Sequence, residues 1–269
     1  MVQIIGHRGA RGLEPENTMR SFQKALELGV DYIECDVHIT NDDHIVLMHD
    51  HTVDRTTNGS GAVNSFTFYE IRELNAGKGE TIPTLQELLD LARGRVKLHI
   101  ELKDEAATEP TVRLVEKNGM EEEVFFTSGN TDTLKRVQEL NASISTEHIF
   151  GKPPDDAIDR ALGVGAKRVS CHINHLTAEF VQKAHENGLQ VIAWPPNTVE
   201  EAKKATKLES LPLRGKEERR TPVKLGTPPI RATETRKLGI EEIKEIGRKE
   251  LEKQKEEYKR IIEENNNSD

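Results

Sequence analysis

Glu34 and Asp36 stand two apart in "VDYIECDVHIT", and Glu101 and Lys103 stand two apart in "HIELKD". His7 and Arg8 are consecutive in "GHRG", and His49 closes "IVLMH" just before Asp50. In a strand, side chains alternate, so residues two apart share a face. The three carboxylates, Glu34, Asp36 and Glu101, are hard oxygen donors suited to Mg²⁺ or Ca²⁺ rather than to a thiolate-seeking metal. His7 and His49 form a candidate acid–base pair near neutral pH. Arg8 and Lys103 are fixed cations for an anionic substrate, and so much gathered positive charge suits a phosphate better than a carboxylate. Each group also has a plainer use. Glu34 and Asp36 could be the wet face of an ordinary strand, His49 a turn residue, and Glu101–Lys103 a surface ion pair worth little. Arg8 could cap a helix or pair with Glu14 or Glu16. What favours the chemical reading is that every one of these groups falls at the end of a predicted strand.

Those strand ends belong to a regular alternation. "QIIG" reads as a strand. "ENTMRSFQKALELG" reads as a helix, with Met19, Phe22, Ala25 and Leu26 at helical spacing, Gly29 as its stop and Pro15 where helices commonly begin. A strand over 31–37 follows, then a second short apolar run, "HIVLMHD", and a turn-rich insertion containing "TTNGSGAVN". Strands in "RVKLHIELK", "EVFFTS", "SISTEHIF", "AKRVSCH" and "LQVIAW" then alternate with helices over 106–118, 131–140, 155–163, 177–187 and 198–208; a further helix in "TIPTLQELLDLARG" precedes the first of these strands. Such alternation predicts a parallel sheet covered by helices, and the lack of a glycine-rich dinucleotide fingerprint favours a (β/α) barrel over a doubly wound sheet. In a barrel, Ile33, Cys35 and Val37 face the helices, and Glu34 and Asp36 face inward near the carboxyl end of their strand, where barrel enzymes keep their chemistry. Inward carboxylates so close together repel unless a cation compensates them.

Composition narrows the function classes. The chain has 269 residues and a net charge of −9, which argues against non-specific nucleic-acid binding. The two cysteines, Cys35 and Cys171, form no zinc or disulfide pattern and point to a reducing compartment. No stretch is long and apolar enough to span a membrane, and the first residues lack the layout of a signal peptide. The expectation is a soluble cytoplasmic protein.

The segment "GHRGARGLEPENTMRSFQKALELGVDYIECDVHITNDDHIVLMHDHTVDRTTNGSG" resembles the first part of a glycerophosphodiester phosphodiesterase, and the likeness continues through "IPTLQELLDL", "LHIELKD" and "VQKAHENGLQVIAW". It spans roughly residues 3–208, and the combination of motifs is far more specific than any one of them. The resemblance implies a TIM-type (β/α)8 barrel over 1–208 with a small insertion, residues 51–81, after the second strand. It implies one divalent cation on Glu34, Asp36 and Glu101, His7 and His49 as general acid and base, and Arg8 and Lys103 on the phosphate. Glu16 and Asn17 would support them, and Trp194 would offer an apolar wall to the glycerol moiety; a partly buried barrel aromatic is the plainer role for Trp194. The implied substrate is a glycerophosphodiester and the implied products are glycerol 3-phosphate and an alcohol.

The likeness ends near residue 208. Residues 209–237 are basic and proline-rich, with "PVKL" the nearest thing to a strand, so the eighth strand is expected to be atypical or missing. Residues 238–269 read as a charged helix with a thin apolar stripe and a frayed end, which over 238–262 could pair with a second copy or a partner helix. "WPPN" and Gly129 are further departures: Pro195 and Pro196 stiffen the mouth beside Trp194, and Gly129 stands where the family often has an aromatic. Two other functions compete with the enzyme: a catalytically weak or inactive relative that binds phosphodiesters, and an interaction protein acting through its C-terminal helix.

Overall fold

The computed structural model describes residues 3–209 and 222–225. Eight strands run parallel: β1 (Gln3–Gly6), β2 (Tyr32–Ile39), β4 (Lys97–Leu102), β5 (Val124–Ser128), β6 (Ser145–Phe150), β7 (Arg168–His172), β8 (Gln190–Trp194) and β9 (Pro222–Leu225). The short β3 (Ile45–Leu47) lies antiparallel to the far end of β2, with Val37 opposite Leu47 and Ile39 opposite Ile45. Pairing proceeds β1, β2, β4, β5, β6, β7, β8, β9 and back to β1, so the sheet curls into a ring. β9 is the expected "PVKL" segment. Its four residues lie opposite Gln3–Gly6, and Val223 also lies opposite Ala193 of β8. The eighth strand is therefore present but short. The predicted C-terminal helix over 238–269 lies outside the described residues, as does most of 209–237.

The helices are α1 (Met19–Glu27), α2 (Phe68–Arg72), α3 (Leu85–Ala92), α4 (Thr108–Lys117), α5 (Thr131–Leu140), α6 (Ala157–Gly163), α7 (Ala178–Glu186) and α8 (Val199–Glu209). Among the described residues, none is long and apolar enough to cross a membrane. Their starts follow from local chemistry. Thr84 caps α3 in a reciprocal box with Glu87, Thr67 does the same for α2 with Glu70, and Asn130 caps α5.

The outward faces of the strands and the inward faces of the helices make the main core. Ile33, Cys35 and Val37 of β2 are wholly buried against Phe22 of α1 and Leu85, Leu88 and Leu89 of α3. Inside the ring, Ile5, Tyr32, Phe125 and Ile192 form a small apolar plug. Polar side chains share that interior: the Arg168 guanidinium lies 4.3 Å over the Phe125 ring and donates to Ser145 Oγ at 2.6 Å, and His99 Nε2 is 3.4 Å from Glu147. The plug closes the barrel's floor, so the chemistry-bearing side chains are confined to the upper end.

One local expectation needs correction. Pro15 does not open α1. Thr18 is the N-cap, accepting from Ser21 N at 3.2 Å, and residues 7–18 form a loop instead. That loop is held by Ser21, whose Oγ donates to Arg8 O at 2.9 Å and accepts from Ala10 N at 2.8 Å. "HIVLMHD", the second short apolar run, lies outside the ring of parallel strands. It is the return arm of a hairpin from β2, and it leads into a module with its own small core of Val46, Val53, Val63, Ile71 and Ile82.

Candidate active site

The loop after β1 is shaped to point backbone N–H groups at β2. Arg8 and Asn17 both have positive φ, 52° and 53°, in a region that costs a non-glycine residue about 1–3 kcal/mol. Gly9 follows at φ 78°, and a Cβ there would fall 2.5 Å from Ser21 Oγ, so only glycine fits. The result is a hydrogen bond of 2.6 Å from Arg8 N to Glu34 Oε2 and one of 3.2 Å from Gly9 N to the Glu34 carbonyl. Asn17 turns its amide onto β2 as well, donating from Nδ2 to Asp36 Oδ2 at 2.9 Å. The strain at Arg8 and Asn17 thus serves the two buried acids.

Glu34, Asp36 and Glu101 each offer a carboxylate oxygen, and these atoms lie within 4.8 Å of one another. Register explains the meeting: β2 and β4 pair with Asp36 opposite Glu101. Glu34 and Asp36 are fully buried, and Glu101 is partly buried. Two cations face them. Arg8 Nε is 3.5 Å from Asp36 Oδ2, while Lys103 Nζ is 2.6 Å from Glu101 Oε1 and 3.4 Å from Asp36 Oδ1. Burial opposes the charge on each cation, yet the surrounding acids outweigh it. Asp36, Glu34 and Glu16 hold the Arg8 guanidinium above its ordinary value, and Asp36 and Glu101 do the same for Lys103. Arg8 is shared with Glu16, to which Nη1 donates at 2.9 Å. Arg11 also feels the charges of Glu34 and Asp36, and the oxygen-only donor set of the three carboxylates fits a hard divalent ion.

His7 is buried with Nε2 3.9 Å from Glu34 Oε2. His49 follows β3 and is half-buried, with Nδ1 2.6 Å from Asp50 Oδ1. Hydrogen bonds from Arg55 hold the Asp50 carboxyl far below the usual carboxylate range, so it is ionised and can only accept. The proton of neutral His49 therefore sits on Nδ1, leaving the Nε2 lone pair free for chemistry. His38, two residues beyond Asp36, braces the same loop, its Nε2 3.4 Å from the His49 carbonyl.

The predicted residues thus separate into groups. Direct contacts join His7, Arg8, Glu16, Asn17, Glu34, Asp36, Glu101 and Lys103. His49 enters through Asp50. Trp194 stands at the end of β8, edge-on to His172 of β7 at 5.3 Å, and Pro195 and Pro196 beside it are buried. Sequence reasoning passed over Asp50, Arg55 and His38. Asp50 and Arg55 lie within quoted motifs, and their opposite charges five apart in one loop were the available signal.

The acids in this network set an acid limit on stability. Burial would raise the Glu16 carboxyl, but the hydrogen bond from Arg55 and the charges of Arg8 and Arg55 outweigh it, so Glu16, like Asp50, is depressed. A depressed carboxyl stabilises the fold above its unfolded value, about 4, and that stability is lost as pH falls through the folded value. Arg55→Met is expected to lower the urea midpoint at neutral pH, with the gap to the unsubstituted protein closing below about pH 4 as both acids protonate. A gap constant from neutral to acid pH would show that Arg55 contributes packing rather than charge.

A profile of the "Glycerophosphoryl diester phosphodiesterase family" matches residues 7–212, the stretch that carries all of these groups. A glycerophosphodiester phosphodiesterase of Caldanaerobacter subterraneus subsp. tengcongensis is 33% identical over 217 residues, 76% of this chain and 89% of that protein. The fold is similar to the crystal structure of a putative glycerophosphodiester phosphodiesterase from Galdieria sulphuraria, with TM-score 0.75 and 31% identity over 85% of this chain and 95% of that one. It is also similar to an Oleispira antarctica phosphodiesterase solved with the product sn-glycerol-3-phosphate, with TM-score 0.74 and 26% identity over 84% and 94% of the two chains. Barrel, acid cluster and sequence likeness fall on the same residues, and the chain belongs to the glycerophosphoryl diester phosphodiesterase family, enzymes that hydrolyse glycerophosphodiesters.

Proposed function

We propose that the chain hydrolyses glycerophosphodiesters to glycerol 3-phosphate and an alcohol by metal-dependent, two-histidine acid–base catalysis. The observation that carries the reading is the buried cluster of Glu34, Asp36 and Glu101 facing Arg8 and Lys103. Glu34, Asp36 and Glu101 would hold one Mg²⁺ or Ca²⁺, which when bound supplies charge neutralisation at the phosphoryl oxygens. Arg8 and Lys103 bind and orient the phosphate and oppose the negative charge that grows on its oxygens in the transition state. His49, its Nδ1–H held by Asp50, takes a proton on Nε2 from the attacking hydroxyl, which belongs either to water or to the neighbouring glycerol carbon. A P–O bond forms to that oxygen as the P–O bond to the alcohol breaks, and His7 gives its proton to the departing oxygen; where the glycerol hydroxyl attacks, water then opens the cyclic phosphate to glycerol 3-phosphate.

Glu16 and Asn17 keep Arg8 and Asp36 in place. Trp194 walls the glycerol side. Gly129, after β5, leaves room at the mouth, since a Cβ there would meet Ile149 only at ordinary contact, 3.7 Å. The complex of the Oleispira relative with sn-glycerol-3-phosphate supports the product assignment. The spacing of Cys35 and Cys171 forms no zinc or disulfide pattern, which supports a cytoplasmic location.

The test is release of glycerol 3-phosphate from glycerophosphocholine by the full chain with Mg²⁺ or Ca²⁺. Release that stops with excess chelator is expected. Metal-induced thermal stabilisation without any product would overturn the reading in favour of a binding relative.

A further inference from the structure

Arg55 lies in the insertion, and four of its hydrogen bonds go to two carboxylates of the site. Nε donates to Asp50 Oδ2 at 2.6 Å and Nη2 to Asp50 Oδ1 at 3.1 Å; Nη1 donates to Glu16 Oε2 at 3.2 Å and Nη2 to Glu16 Oε1 at 2.6 Å. A guanidinium has five N–H donors, so four are committed to two carboxylates and the fork is closed to a phosphate. The two carboxylates come from different segments, 39 residues and 5 residues away in the chain. Each passes its orientation on: Asp50 accepts from His49 Nδ1, and Glu16 accepts from Arg8 Nη1 through the same oxygen that Arg55 holds.

We propose that Arg55 is a positioning residue that locks the His49 tautomer through Asp50 and, through Glu16, fixes the Arg8 fork, tying the insertion to both halves of the site. The proposal rests on the acid–base and phosphate-holding roles given to His49 and Arg8. Asp50 is partly exposed, and without Arg55 its carboxylate is free to turn to water. Imidazole in water favours the proton on Nε2, so loss of Arg55 removes the reason for His49 to keep it on Nδ1. Lysine keeps the charge but lacks the planar fork, so it can hold one carboxylate and not both.

The experiment pairs two readouts on the full chain: ¹⁵N chemical shifts of the His49 ring in alkaline buffer, and steady-state hydrolysis of glycerophosphocholine. Wild type is expected to show the Nδ1–H tautomer, Arg55→Met a mixture shifted toward Nε2–H, and Arg55→Lys, which keeps the charge and guards against loss of fold, a state between them. kcat is expected to fall about 10–100-fold in Arg55→Met, the usual scale for a residue that orients a group from behind, and less in Arg55→Lys. Equal tautomer ratios in all three proteins overturn the proposal, as does an unchanged kcat in Arg55→Met. A tautomer shift in a protein that hydrolyses nothing even as wild type supports the tautomer lock and refutes the functional reading beneath it, so the two failures are distinguishable.

Discussion

Glu34→Gln is expected to lower kcat/KM for glycerophosphodiester hydrolysis by about 10³-fold or more, because a bound ion contributes several kcal/mol to transition-state charge stabilisation and about 4 kcal/mol is three powers of ten. The substitution is chosen to leave the loop intact. Glu34 accepts from Arg8 N at 2.6 Å, and a glutamine oxygen can accept the same bond. What is lost is one anionic donor of three, in a cluster whose other members are Asp36 and Glu101. Glu34 also faces the buried Arg8 guanidinium and the partly buried Arg11 guanidinium, so each protein's response to metal is compared with its own metal-free state. Wild type should gain in melting temperature with added Mg²⁺ or Ca²⁺, since an ion that binds only the folded state stabilises it by mass action. Glu34→Gln should gain little. Full activity of the variant, or full activity of wild type in excess chelator, would sink the metal reading; an unfolded variant would instead show that Glu34 is needed to seat the Arg8 turn.

The site was legible in sequence where it follows from periodicity. Two-residue spacing put Glu34 with Asp36 and Glu101 with Lys103, and a parallel sheet buried on both faces left only the inward side for the acids. Helices with self-contained signals were equally plain: α5 occupies the predicted 131–140, begun by Asn130. What escaped is set by pairing partners. "HIVLMHD" reads in sequence only as a short apolar run, and its pairing with Val37–Ile39 makes it a hairpin arm, so His49 arrives from a loop rather than from the ring. Pro15 misled because the chain spends residues 7–18 on a turn whose left-handed Arg8 and Asn17 no helical periodicity announces. β9 is four residues long and holds its place through backbone pairing with β1, which composition does not report. Arg55 belongs to a polar loop, where one arginine looks like another until Asp50 and Glu16 are brought to either side of it.

The two histidines are expected to fail differently. His7→Asn and His49→Asn should each lower kcat on glycerophosphocholine by about 10²–10⁴-fold, the span for loss of a positioned acid or base. On the proposed reading, their contacts favour different roles. His49 is held with Nδ1–H toward an ionised Asp50, which leaves a lone pair on Nε2, the arrangement of a base. His7 is buried with Nε2 toward the Glu34 carboxylate at 3.9 Å, a pairing that suits a ring with a proton to give. An alkoxide departs poorly without a proton, whereas p-nitrophenolate departs well without one. On a p-nitrophenyl ester of glycerol phosphate, His7→Asn is therefore expected to recover to within about tenfold of wild type, while His49→Asn, still lacking its base, stays as slow as before. Recovery of His49→Asn instead would reverse the two roles. Recovery of both would mean that neither histidine removes the proton from the nucleophile, and the Asp50 contact would then serve only to fold the loop after β3.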